Sequence, residues 1–302
     1  MASRALIAGV GMIPFVKPGA NESYPVMAGQ AANLALADAE IGYEQIQHAY
    51  VGYVYGDSTC GQRALYELGM TGIPIFNVNN NCSTGSTALY LARQAVEAGV
   101  VECALALGFE QMAPGALDYA FPDRPAPLER FTHEGRTSLS RAEGAHGHPA
   151  LWRGGAGVPG EVRYTHRDLC QDQREGTQAA AHNRRAIFRK PVTVEEVLAS
   201  PHVWQPDRLQ CCPPTCRAAA AVVVSRHLQR HGLAANVAIA AQARPPTTAR
   251  PLTSTACSRS SAMTPKSRAA ARPGIRAQRH RPGGSRRRRA ARLLHRQRGD
   301  LL

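Results

Sequence analysis

Cys82 is the residue whose surroundings suit a nucleophile. It follows an apolar run, Pro74-Ile75-Phe76-Asn77-Val78-Asn79, and stands at the head of a segment with helical spacing, Ser83 to Val100. At such a strand-turn-helix elbow, the first-turn amide N–H groups and the positive end of the helix dipole favour the thiolate, the reactive form of a cysteine. Ser83, Thr84, Gly85 and Ser86 are small and leave an approach open for a substrate carbonyl. The competing reading is a buried structural cysteine, the usual state of an isolated one. Asn79-Asn80-Asn81 is expected to hold the turn before Cys82 by side-chain to backbone hydrogen bonds.

Other candidates carry less. Cys211-Cys212-Pro213-Pro214-Thr215-Cys216 has no second cysteine cluster to complete a zinc site, so no metal is expected. His146 and His148 read as a solvated loop, because no carboxylate or cysteine pattern accompanies them. Gly9 and Gly11 lack the third glycine of a dinucleotide fingerprint and read as a tight turn.

The elements that must position Cys82 follow from periodicity. Short apolar runs at Ala5–Gly11, His48–Tyr55, Pro74–Asn79, Glu102–Gly108, Ala218–Val224 and Val237–Ala240 read as strands. Helical spacing covers Tyr24–Ile41, Gln62–Leu68, Ser83–Val100, Val192–Leu198 with Thr193 as N-cap, and His227–Gly232. The helix after Cys82 is small or apolar on nearly every face and is placed in the interior. Strands alternating with helices predict an α/β fold with a mostly parallel, doubly covered sheet. Residues 122–180 read as an irregular loop region rich in Gly, Arg, His and Pro.

The 302 residues carry a formal charge of +14, distributed unevenly. From Ala243 onward there are 16 Lys+Arg against one acid, Asp300, whereas the preceding residues are almost neutral. The tail, 244–302, has no Phe, Trp, Tyr or Val and is expected to be disordered, since it cannot bury enough apolar surface to offset its chain entropy. It lacks aromatics for base stacking, so its charge implies nonspecific anion binding rather than a selected nucleic-acid partner. No apolar run reaches the ~20 residues that span a bilayer, and no membrane span is expected. Scattered cysteines without a secretory leader suit reduced thiols and a cytoplasmic protein.

Asn77-Val78-Asn79-Asn80-Asn81-Cys82-Ser83-Thr84-Gly85-Ser86-Thr87-Ala88-Leu89 resembles the thiolase superfamily, in particular sterol-carrier-protein-type thiolases, the lipid-transfer proteins or propanoyl-CoA C-acyltransferases. So do Gly52-Tyr53-Val54-Tyr55-Gly56-Asp57-Ser58-Thr59-Cys60-Gly61-Gln62-Arg63 and Ala104-Leu105-Ala106-Leu107-Gly108-Phe109-Glu110-Gln111-Met112. The resemblance is dense over residues 3–122 and returns over 181–243. It implies thiolase-like αβαβα layers, here the N-terminal half only, over a domain of residues 1–243. It also implies Cys82 as the catalytic acyl acceptor, with Asn80, Asn81, Ser83, Thr84 and Gly85 supporting the turn and helix start. The substrate would be an acyl-CoA in fatty-acid or sterol side-chain metabolism, with coenzyme A as co-substrate, no bound cofactor, and a homodimer. The family's second half supplies an H-D-C-F motif, with its oxyanion histidine and acid/base cysteine, and a histidine in a later G-H-P motif that activates the nucleophile. No counterpart of that half is read here, so the resemblance implies an acyltransferase with little or no turnover, or a non-catalytic acyl-CoA or lipid binder.

The tail has an explanation in the genetic code. Ile275–Leu301, read by joining the last two bases of each codon to the first of the next, permits Y-E-R-S-G-I-G-P-E-E-V-D-V-V-E-L-H-D-C-F-T-A-N-E-V-I-S. Arg289-Ala290-Ala291-Arg292-Leu293-Leu294 then becomes E-L-H-D-C-F. The same shift makes Glu161–Gln178 family-like, which accounts for a chain with 33 Arg and 3 Lys. Phe131–Ala150 fits neither frame.

Overall fold

The structure is a computed structural model that describes residues 5–113, 123–126, 129, 166–200, 202–204, 207–208, 215–240 and 242. The tail at 244–302, the 131–150 stretch with His146 and His148, and Cys211 and Cys212 lie outside the described residues. Two compact units are present.

The first unit begins with strand β1 (Leu6–Met12), helix α1 (Tyr24–Ala39), strand β2 (His48–Gly52) and the short helix α2 (Cys60–Leu65). Strand β3 (Ile75–Val78), helix α3 (Thr84–Glu97) and strand β4 (Cys103–Glu110) follow. Helix α1 starts with Pro25 in its first turn, where a missing N–H costs nothing, and it ends at Glu40, which takes a left-handed φ of 56°.

The second unit contains helix α4 (His166–Ala181), helix α5 (Val194–Ala199) and a short antiparallel pair, β5 (His202–Trp204) with β6 (Asp207–Arg208). Helix α4 corrects the expectation of an irregular loop through residue 180. Its Arg, Gln, Glu and Ala content favours helix even without a strong apolar stripe. Thr193 caps α5 as expected. Its hydroxyl accepts from the Glu196 N–H at 3.1 Å, and the Glu196 carboxylate accepts from the Thr193 N–H at 2.7 Å, a reciprocal capping box.

The first unit is completed by strand β7 (Arg217–Val224), helix α6 (Arg226–Arg230) and strand β8 (Val237–Ala238). Its sheet runs β3-β2-β4-β7-β1-β8. The pairs β2/β3 and β2/β4 are parallel, whereas β7 lies antiparallel between β4 and β1, and β8 is antiparallel to β1. The mostly parallel sheet of the sequence reading therefore becomes a mixed one. β7 carries the run Ala218 to Val224, and its central position explains why that run is nearly continuous in apolar residues.

Side chains alternate across the sheet and build two cores. On one face Leu105, Leu107, Val222 and Val224 pack with Ala31, Ala35 and Leu36 of α1 and Ala64 and Leu65 of α2. On the other, Ala104, Ala106, Tyr50 and Val223 pack with Ala88, Ala92 and Val96 of α3. Burial of each large aliphatic side chain contributes ~1.5–3 kcal/mol. The unit is thus helix, sheet, helix. Helix α3 buries one face on the sheet, while Gly85 and Ser86 are exposed and Leu89, Tyr90 and Leu91 are half-buried, so its all-round small and apolar character does not make it fully interior.

Gly9 and Gly11 are not a turn. They lie inside β1, where a Cβ on Gly9 would stand 2.3 Å from the Ala35 carbonyl oxygen and one on Gly11 2.1 Å from that of Ala31. Their bare backbone lets α1 lie directly on the sheet.

Candidate functional site

Two glycines prepare the site from below. Gly52 ends β2 and pairs in register with Gly108 near the end of β4. A Cβ on Gly52 would come within 2.7 Å of the Thr84 carbonyl oxygen, and one on Gly108 within 3.2 Å of the Gly85 Cα. The first turn of α3 therefore rests on a patch of sheet that carries no side chains. This close approach brings the helix N-terminus down to the carboxyl ends of β2 and β4, the region where open α/β sheets bind ligands.

Between β3 and α3 the chain reverses through Asn79, Asn80, Asn81, Cys82 and Ser83. Asn81 has a φ of 50°, in the left-handed region that asparagine tolerates better than most residues. Ser83 is the N-cap residue of α3, so Cys82 sits just outside the helix. Its thiol is exposed.

The turn is held by side chains. The Ser83 hydroxyl donates to the Asn80 carbonyl at 2.8 Å, and the Asn79 side-chain oxygen accepts from the Asn81 N–H at 3.2 Å. Thr84, buried, accepts from the Asn80 N–H at 3.1 Å and donates to the Asn81 carbonyl. Thr87, also buried, accepts from Asn80 Nδ2 at 3.0 Å and donates to the Ser83 carbonyl at 2.9 Å. Asn80, Asn81, Ser83 and Thr84 are thus linked by hydrogen bonds in the turn that carries Cys82. Gly85 faces open space, its nearest neighbour to an added Cβ being the Gly108 Cα at 3.9 Å.

The other described thiols differ from Cys82. Cys60, Cys103 and Cys216 are all free and buried. Burial pushes the Cys103 thiol up to about 12 and raises that of Cys216 as well, which keeps both protonated and unreactive. Of these four cysteines Cys82 is the exposed one, and among the described residues no group of three or more His, Cys, Asp or Glu is placed to hold a metal ion.

Glu110, at the end of β4, was not anticipated as part of this edge. Its carboxylate accepts the N–H groups of Val54 at 3.1 Å and Tyr55 at 2.9 Å and so ties the loop after β2 to β4. Burial raises its pKa, against the opposing effects of those two hydrogen bonds and of the Arg217 charge. Beside it, Phe109 stacks with Tyr53 at 5.0 Å and Tyr24 at 5.1 Å. Asn77 fixes the neighbouring edge, accepting from the Gly61 N–H at 2.8 Å and donating to Gln62 at 2.7 Å. Sequence reading also gave no role to Gly52, Gly108 or Thr87. The available signal for the glycines was that the apolar run Glu102–Gly108 closes on one and the run His48–Tyr55 is interrupted by the other.

The tripeptide Gly147-His148-Pro149 spells the G-H-P associated with the family's later histidine, but in the first half of the chain and outside the described residues.

Comparison with known proteins shows the relationship of the chain and its fold. Residues 5–125 match the model of the thiolase N-terminal domain. The chain is 44% identical over 239 residues to human sterol carrier protein 2, an alignment that spans 76% of this chain and 43% of the relative. It is 32% identical to the benzoylsuccinyl-CoA thiolase subunit BbsB of Thauera aromatica, over 73% of this chain and 55% of that one. The chain thus spans about half the length of these relatives. Among solved structures, human mitochondrial 3-ketoacyl-CoA thiolase in complex with CoA superposes with a TM-score of 0.56 at 13% identity, covering 78% of this chain and 68% of that one. At that identity the likeness is one of fold.

Proposed function

From the premise that this chain carries a thiolase N-terminal domain, we propose that it is an acyl-CoA acyltransferase of the 3-oxoacyl-CoA thiolase type whose acyl group is accepted by Cys82. The observation that carries this reading is the exposed Cys82 thiol on a turn held by Asn80, Ser83, Thr84 and Thr87 at the carboxyl edge of the sheet. The thiolase-like part of the chain is residues 1–243, coenzyme A is the co-substrate, and a second copy of the chain completes a homodimer. No helix among the described residues is long and apolar enough to cross a membrane.

The chemistry available to these residues separates into two steps. In acyl transfer from an acyl-CoA, the Cys82 thiol gives its proton to solvent, Sγ attacks the thioester carbonyl, the C–S bond to coenzyme A breaks, and coenzyme A leaves as a thiolate that solvent protonates. Thiolate departure needs no positioned acid. In cleavage of a 3-oxoacyl-CoA, Cys82 Sγ attacks C3 and the C2–C3 bond breaks, so the departing acetyl-CoA carbanion must be protonated within the site. That step depends on groups the resemblance places in the H-D-C-F half, and sequential loss of members of such a unit removes most of its rate. We therefore expect Cys82 to be acylated and carbon–carbon cleavage to be negligible.

The test is incubation of the full chain with acetyl-CoA, followed by peptide mass mapping, in parallel with an acetoacetyl-CoA cleavage assay. An acetyl group on Cys82, absent in Cys82→Ser, is the expected result. Absence of the adduct in wild type refutes the acyl-acceptor role, and rapid Cys82-dependent cleavage refutes the inactivity.

A further inference from the structure

We infer that Thr87, acting with Thr84, is a positioning residue for Cys82. This rests on the reading of Cys82 as the acyl acceptor and extends it to two hydroxyls one helical turn away.

Cys82 is flanked by three residues whose backbone must be fixed if its thiol is to point one way: Asn80, Asn81 and Ser83. Each is held from α3. Thr84 Oγ1 accepts from the Asn80 N–H and donates to the Asn81 carbonyl, so it spans the residue with the left-handed φ. Thr87 Oγ1 accepts from Asn80 Nδ2 and donates to the Ser83 carbonyl, closing the turn from the other side. Both threonines are almost fully buried, 4% and 6% exposed, while Cys82 is exposed. A threonine hydroxyl has one proton to donate, and at each position it is spent on a carbonyl beside Cys82.

Two features argue against a purely helical role. Serine or threonine inside a helix commonly bonds the carbonyl four residues back, as Thr87 does with Ser83, and that bond alone slightly weakens a helix. Here the same oxygen also receives the Asn80 amide from outside the helix, which the helix does not require. Thr84 also lies against Gly52, and Gly85 beside it against Gly108, glycines that remove the side chains that would otherwise push this turn off the sheet. The hydroxyls therefore orient the thiol, and the glycines set its height.

The experiment compares wild type, Thr87→Val, Thr87→Ser and Asn80→Ala in the full chain. Cys82 labelling by acetyl-CoA and, separately, by iodoacetamide is followed by mass mapping, with circular dichroism confirming folded protein. Valine keeps the shape and removes the hydroxyl. Thr87→Val is expected to slow acetylation about tenfold, the scale of a lost orienting contact, and to alter the iodoacetamide rate severalfold, while Thr87→Ser stays within about twofold of wild type on both. Asn80→Ala, which removes the same bond from its other end, is expected to match Thr87→Val and serves if the valine variant does not fold. Wild-type rates in Thr87→Val or Asn80→Ala, or failure of serine to restore them, overturn the inference. If wild type takes no acetyl group, the acyl-acceptor reading fails, and the iodoacetamide arm still decides the positioning role.

Discussion

Substituting the glycine under the elbow gives a graded test of how the site is built. In Gly52→Ala the new Cβ would stand 2.7 Å from the Thr84 carbonyl oxygen and 2.8 Å from both its carbonyl carbon and Cγ2. Apolar atoms rest at about 3.5–4.0 Å, so the first turn of α3 must lift by roughly 0.7–1 Å. Two of those three atoms are backbone, and no rotamer change relieves them. Overpacking of this kind costs about 1–3 kcal/mol. Gly108→Ala meets a milder obstacle, the Gly85 Cα at 3.2 Å, and should cost less than about 1 kcal/mol. Gly85→Ala meets only the Gly108 Cα at 3.9 Å, and it gains helix propensity of up to about 1 kcal/mol. Urea midpoints should therefore fall in the order Gly85→Ala, Gly108→Ala, Gly52→Ala. Cys82 acetylation should be lost first in Gly52→Ala, because the lift moves the turn that holds the thiol. Equal midpoints for Gly52→Ala and Gly85→Ala would refute the argument that close helix approach shapes the elbow.

Three further outcomes are expected. Glu110 has a pKa raised chiefly by burial, so its contribution to stability is present at low pH and is lost as pH rises from the ordinary carboxylate range through the raised folded-state value. Subtracting the urea midpoints of Glu110→Gln from those of wild type across pH 4–7, a range set roughly by the reference carboxylate value, should show that decline, and a flat difference would contradict it. Thr193→Ala removes one arm of the capping box and should destabilise α5 by about 1 kcal/mol, read as faster amide exchange at Glu196 and Val197, whereas Glu195→Ala should not reproduce it. Sequencing of the coding DNA should find, one base out of frame beneath Ile275–Leu301, the codons for V-E-L-H-D-C-F, and unrelated codons there would end the shifted-frame reading.

What could be read from the sequence divides by the range of the interaction. The elbow was legible because its signals are neighbours: an apolar run, three asparagines, a cysteine, then small residues at helical spacing. The capping box at Thr193 and Glu196 was half legible, the N-cap having been read and its reciprocal partner three residues later passed over. Glu110 was missed because its partners, Val54 and Tyr55, are more than fifty residues away. The placement of β7 between β4 and β1 was missed for the same reason, since a continuous apolar run marks a buried strand but not its neighbours or its direction. Gly9 and Gly11 were misread because a glycine that admits a helix and a glycine that makes a turn look alike until the helix is in place.

Helix α4 overlaps Glu161–Gln178, the stretch whose shifted reading resembles the family, and continues three residues past it. A helix asks only for local propensity, and a run with Gln171, Gln173, Glu175 and Ala179-Ala180-Ala181 supplies it whatever frame produced it. A sheet asks for matched partners at a distance, which an altered frame cannot supply. Every strand of the six-stranded sheet comes from residues 6–110 or 217–238, outside both Glu161–Gln178 and Ile275–Leu301. The end of α4 is tied to the segment after it by Val192 N–H to Thr177 Oγ1 at 3.2 Å and by the His182 and Asn183 N–H groups on the Ala179 and Ala180 carbonyls, local contacts rather than a strand register. The six-stranded sheet is thus built from residues 6–110 and 217–238, and the coding DNA decides the frame of the two other segments.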